Sequence, residues 1–213
     1  MKIRHDLRIY DYERNFTGGI IKMSRINRYR IQFVATVLGC ISIVKMMWDA
    51  FRWLDITMLM SLEFIYCMML VVGSGVIAFS YKSNNKYMLV KAHIILLAGF
   101  ITRFCDVAVQ CLFSGDVPVY SIILFDLLPA FSIVSEIAVL VILMKNKKSE
   151  IWKKIVLTNS LIQSVFWGLV VLYGGANAFT SEYAMTEALS GLYIVVLFIT
   201  NINIGIDCIK NEI

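Results

Sequence analysis

The sequence predicts an all-α integral membrane protein, a bundle of six transmembrane helices with both termini cytoplasmic. Three observations predict it. Of 213 residues, 59% are hydrophobic and 16% charged, where a soluble domain carries about 25% charged and roughly 45–50% apolar residues. Six apolar runs follow one another, at about 31–50, 56–80, 87–113, 118–144, 155–173 and 184–208. Each is near or above the ~20 residues that cross ~30 Å of hydrocarbon. Finally, Lys and Arg concentrate in every second connection.

The runs read as helices because lipid offers no partner for the backbone groups of an open strand. None alternates as a barrel strand would. Residues 1–30 form a basic cytoplasmic segment with eight Lys and Arg. No A-x-A-like cleavage site follows the first apolar run, so the segment is not read as a signal peptide. Gly18 and Gly19 lie just before Met23, where tandem Gly codons resemble a ribosome-binding sequence, so Met23 is the expected natural start. Residues 31–213 are expected to form a single transmembrane domain.

The connections set the orientation. Lys82 and Lys86 lie between spans two and three, with Lys91 just beyond; Lys145, Lys147, Lys148, Lys153 and Lys154 lie between four and five; Lys210 follows six. Among basic residues the other three connections hold Arg52 alone, beside Asp49, Asp55, Asp116 and Glu182. Basic residues favour the cytoplasmic side, which puts both ends inside. Trp48, Trp53, Tyr120, Tyr173 and Tyr183 then fall at the outer interface, and Tyr29, Tyr81, Tyr87 and Trp152 at the inner one, where amphipathic rings settle. The net charge of +5 follows from this orientation, so the expected partner is the lipid bilayer and not nucleic acid. The Ile-, Asn- and Lys-rich composition fits an AT-rich genome, and a bacterial plasma membrane is the expected location.

Small residues recur every four positions, which lets helices approach closely. They are Ala35 and Gly39 on span one, Ser74 and Ala78 on span two, Ser160, Ser164 and Gly168 on span five, and Ala184 and Ala188 on span six. Pro129 should kink span four by removing a backbone donor, and Pro118 suits a helix start.

Ionisable residues inside the runs are the candidate site, because charge in hydrocarbon is costly and usually faces a bundle interior. Arg103 and Asp106 are three residues apart and share a helix face. Arg103 lies about 22 Å from the inner end of span three, and Glu63 and Asp126 about 10–12 Å below the outer face. Asp106 is a turn shallower than Arg103, Lys45 lies less than ~10 Å from the outer end, and Glu187 is roughly one turn in. These six residues come from five spans and fall in the outer third, where they would line a ligand or ion pocket open to the outside. The competing account is an internal salt-bridge network that fixes helix register, with Lys45 and Glu187 reaching for the interface. A second polar layer, His93, Glu136 and Asn201, lies toward the cytoplasm with Asn159 and Asn203. His93 and Glu136, on adjacent antiparallel spans, are placed to relay a proton or to hydrogen-bond across the helices.

Catalytic signatures are missing: there is no HExxH, GxSxG, Walker loop, GxGxxG or CxxC. The histidines are His5 and His93, and the cysteines Cys40, Cys67, Cys105, Cys111 and Cys208 lack metal-site or disulfide spacing. No enzyme activity, cofactor or metal is expected. The layout is similar to the small membrane-embedded binding subunits of vitamin uptake systems, though no motif carries the likeness. The leading expectation is therefore binding or transport of a small polar solute or ion. The alternative is a non-transporting membrane partner, such as a sensor, immunity or assembly subunit, acting through helix contacts.

Overall fold

The computed structural model describes residues 25–54, 56–114, 127–145, 149–180 and 182–210. Every regular element among them is a helix. In chain order these are α1 (Arg25–Arg52), α2 (Ile56–Leu59), α3 (Leu62–Ser83), α4 (Lys86–Ser114), α5 (Leu128–Lys145), α6 (Glu150–Ala178), α7 (Glu182–Ser190) and α8 (Tyr193–Ile209).

Four of these, α1, α3, α4 and α6, are long and apolar enough to cross a membrane, and α7 with α8 makes a fifth if the bent pair is one span. The helices are thus compatible with a multi-pass membrane protein. The fourth expected span is described from Leu128 as a shorter apolar helix, and the stretch before it, with Pro118 and Asp126, lies outside the described residues. Pro129 is the second residue of α5, and Leu127 before it is already helical. The kink expected there depends on that preceding stretch.

Two expected spans are interrupted. The run 56–80 starts as the single turn α2, breaks at Met60, and restarts behind Ser61, whose Oγ accepts from Phe64 N at 3.1 Å. This cap satisfies one of the orphan N–H groups of the new helix. The run 184–208 bends by 47° between α7 and α8, at Gly191 and Leu192. In contrast, α1 starts six residues earlier than its apolar run and carries Arg28 and Arg30 into the helix.

Successive long helices pack on their neighbours in the order α1, α3, α4, α5, α6, α8, and α8 returns to α1. One apolar core joins α1, α3, α4 and α8 around Met46, Cys67, Leu70, Leu96 and Leu197. A second joins α5, α6 and α8 around Val139, Ile142, Val156 and Ile204. Gly39 is where α1 comes closest, since a Cβ there would stand 2.7 Å from both Val71 and Val196. The outward faces are apolar, with Val34, Ile41, Val44 and Trp48 exposed on α1 and Leu161, Val165, Leu169 and Leu172 on α6. Apolar patches of this extent suit lipid rather than water.

Candidate functional site

The starts of α1 and α4 and the ends of α3 and α8 meet at one end of the structure. The end is basic, with Arg25, Arg28, Lys82, Lys86 and Lys210. Its geometry depends on the turn Asn84–Asn85. Asn84 takes φ 51°, in the left-handed region, and its N–H closes α3 on Ser80 O. A short polar residue tolerates that region better than most. Asn85 Oδ1 then caps α4, accepting from Tyr87 N at 3.0 Å and Met88 N at 3.3 Å.

Below this turn lies a buried ion pair that the sequence reading did not single out. Arg28 on α1 meets Asp207 on α8, and both are almost entirely out of solvent. Tyr81 Oη donates to Asp207 Oδ2 at 2.6 Å, and the Arg28 guanidinium lies 4.9 Å from the centre of the Tyr81 ring. One carboxylate thus gathers a guanidinium from α1 and a hydroxyl from α3.

A buried polar seam continues from this pair. Gln32 is 0% exposed. Its Nε2 donates to Ser74 Oγ at 2.7 Å and to Thr200 Oγ1 at 2.8 Å, while its Oε1 accepts from Asn203 Nδ2 at 2.7 Å. The Thr36 hydroxyl lies 2.8 Å from both Ser74 Oγ and Gln32 O. From Arg28 to Thr36 the seam extends about 12 Å along α1. Three helices of apolar sequence therefore meet across a strip of amides and hydroxyls.

The expected inner layer is partly assembled. His93 Nδ1 lies 2.6 Å from Glu136 Oε2, with both side chains buried, so this contact joins α4 to α5. Asn201 stays apart and donates to Leu197 O of its own helix at 2.8 Å. Asn203, mentioned beside it, belongs to the Gln32 seam instead. Asn159 is buried on α6, and its Oδ1 has no hydrogen-bond partner among the described residues.

The six residues expected near the opposite end separate into groups. Arg103 Nη1 lies 2.9 Å from Asp106 Oδ2 and 3.8 Å from Glu63 Oε1, with the guanidinium 5.9 Å from the centre of the Tyr66 ring. These three converge between α3 and α4. Glu63 lies nearer a helix end than expected because α3 begins only at Leu62, which puts it in the first turn with its side chain 46% exposed. A carboxylate there favours the positive end of the helix dipole. Lys45 pairs with Asp49 one turn along α1. Glu187 is exposed on α7, short of the bend and so not within a continuous span. Asp126 lies outside the described residues.

The seam residues Arg28, Gln32, Tyr81 and Asp207 carried sequence signals that were available but indistinct. Arg28 stood among the basic residues of the first thirty and Tyr81 read as an interfacial ring, while Asp207, near the end of the last apolar run, was not singled out. Gln32 is one uncharged polar residue at the start of an apolar run. The whole set offers hydrogen bonds and charge; among the described residues no group of three His, Cys, Asp or Glu could hold a metal ion. No protein-family model matches the chain, and no curated protein or solved structure shows significant similarity to it.

Proposed function

We propose that the chain crosses the membrane six times with both termini in the cytoplasm, and that it binds a small polar solute or ion between its helices without catalysing a reaction. The observation that carries this reading is the seam around Gln32. Ionised side chains within membrane helices are expensive and mark ligand or ion paths, and the seam runs into such a pair, Arg28 and Asp207, at the basic end. The Glu63–Arg103–Asp106 group forms a second polar set between the far ends of α3 and α4. Polar sets at both ends suit passage of a solute from one face to the other.

Thermal unfolding of the full chain in detergent, against a panel of inorganic ions, amino acids, sugars and nucleosides, tests the reading. At least one class raises the wild-type melting temperature, and Gln32→Leu abolishes the shift. Thr200→Val removes one seam hydroxyl at nearly constant volume and serves if Gln32→Leu does not fold. A panel without effect on the wild type overturns the reading. So does a shift that survives in the seam variants.

The alternative is a non-transporting partner of another membrane protein. It draws on the closure of the seam, since Gln32 spends its donors on Ser74 and Thr200 and its oxygen on Asn203. Such a closed set fixes the register of three helices without any ligand. Co-purification of a stoichiometric membrane protein would favour it.

A further inference from the structure

We infer that the ion of the solute-or-ion reading is a proton, and that the buried pair of His93 and Glu136 is its seat. The inference rests on the reading that the chain binds a solute or ion among its helices; it names the ion and sets it apart from the Gln32 seam. His93 Nδ1 lies 2.6 Å from Glu136 Oε2, and the two side chains are 1% and 6% exposed. One comes from α4 and the other from α5, so the contact joins two helices. Facing His and Glu side chains inside a membrane bundle are the groups that proton relays use.

Charge decides what the pair holds. Neutral imidazole against a carboxylate leaves one negative charge in the bundle, which surroundings of low polarity disfavour. Imidazolium against carboxylate has no net charge, and neither has imidazole against carboxylic acid. Both of these forms carry one proton more than the charged form. Rising pH removes that proton to water and falling pH returns it, while an Nδ1–H donor on the neutral ring keeps the contact to the carboxylate. The pair is thus a site for a single exchangeable proton shared by two residues.

The ionisable groups around the pair leave that count unchanged. On α4, Lys91 is exposed, and Arg103 is about 15 Å further along. On α5, Glu136 is the one ionisable side chain from Leu128 to Met144. α3 meets α4 at this level through Gly73, where a Cβ would stand 2.7 Å from Leu96; Cys67 and Tyr81 lie about 9 and 12 Å along α3 from there. On α6, Gln163 donates to Leu128 O at 3.0 Å, and Val156 shares the second core with Val139. Asn159 and Ser160 fall between these contacts, level with Glu136, and Lys153 lies about 9 Å from Asn159, near the start of α6. α8 meets α6 at Gly205, where a Cβ would stand 3.2 Å from Ser160. Asp207, two residues on, turns the other way to Arg28 and Tyr81, and Cys208 bonds to Lys153 O. Asn159 Oδ1 and Ser160 Oγ are buried without a hydrogen-bond partner among the described residues. They are polar atoms to which a water carrying the proton can bond.

The test counts protons. The full chain in detergent and weak buffer is brought from about pH 5 to about pH 8, and an indicator dye reads the release. The wild type releases about one proton per chain more than Glu136→Gln, because the amide leaves His93 without a counter-charge and its ring stays neutral throughout. His5 and the N-terminal amine titrate in both chains and cancel. Glu136→Met serves if Glu136→Gln does not fold. Lys91→Gln, which removes an exposed charge from the same helix, keeps the wild-type release. Equal release from the wild type and the Glu136 variants overturns the inference, since the contact is then a fixed hydrogen bond between α4 and α5. A loss in Lys91→Gln as large as in Glu136→Gln also overturns it, because the effect is then diffuse charge. If the extra proton is absent while a panel solute stabilises the wild type but not Thr200→Val, the proton seat is wrong and the solute-binding reading stands. If the extra proton is found while the panel has no effect, the proton seat stands and the seam reading falls.

Discussion

Arg28 and Asp207 come from the first and last long helices, and they meet almost entirely out of solvent. Removing two charges from water costs several kcal/mol per ion, and their attraction offsets that only while both are present. Asp207→Leu alone should therefore cost about 3–5 kcal/mol, because it strands a buried guanidinium. Arg28→Met together with Asp207→Leu should recover most of that loss. Chemical unfolding in detergent measures both, and a double variant as unstable as the single one would show that the two do not act as a pair. The contrast with Arg103 and Asp106 explains what sequence can reveal at this scale. Those two are three residues apart on one helix, so spacing alone predicts their contact, and they lie 2.9 Å apart. Arg28 and Asp207 are matched by the rotation of two helices about their axes. Hydropathy carries no record of that rotation, and Arg28 stood in a row of basic residues that orientation already explained.

Helix existence and approximate length were largely legible, because runs of apolar residues at membrane length leave the backbone few alternatives. The expected 87–113 became α4 at Lys86–Ser114, for example. The interruptions were not legible, because they depend on single side chains inside runs whose hydropathy hardly changes. Ser61 is one such residue. Its hydroxyl caps α3 after the break at Met60 and moves Glu63 from about two turns inside the expected helix to the first turn of α3. Ser61→Ala should cost about 0.5–2 kcal/mol, the usual loss for an N-cap, read as a lower unfolding midpoint. Asn84 is another. At φ 51° Asn84→Gly should hold stability better than Asn84→Ala, since a Cβ in the left-handed region costs roughly 1–2 kcal/mol. The same midpoint measurement checks both, and an alanine variant equal to the glycine variant would show that this backbone angle does not limit stability.

At the scale of the molecule, the question is whether the bent pair α7–α8 crosses the membrane or returns to the side it came from. The contacts of α8 bear on this directly. Its C-terminal Asp207 joins Arg28, near the start of α1, and Tyr81, near the end of α3. Near the other end of the last pair, Ser42 Oγ donates to Ser190 O of α7, more than halfway along α1 from its start. From α7 to the end of α8 the pair thus runs back along α1 to the basic end, as one crossing would. Side-specific cysteine labelling in a cysteine-free background turns this into an outcome. Asn84→Cys, Ser149→Cys and Lys210→Cys should react with a membrane-impermeant maleimide only from the cytoplasmic side, and Trp53→Cys and Thr180→Cys only from the opposite side. Lys210→Cys decides the point, since it alone changes side if the pair is re-entrant. Labelling there together with Thr180→Cys would make the count of crossings odd and would separate the two termini across the membrane. It would also leave the Arg28–Asp207 pair without a common end of the structure in which to form.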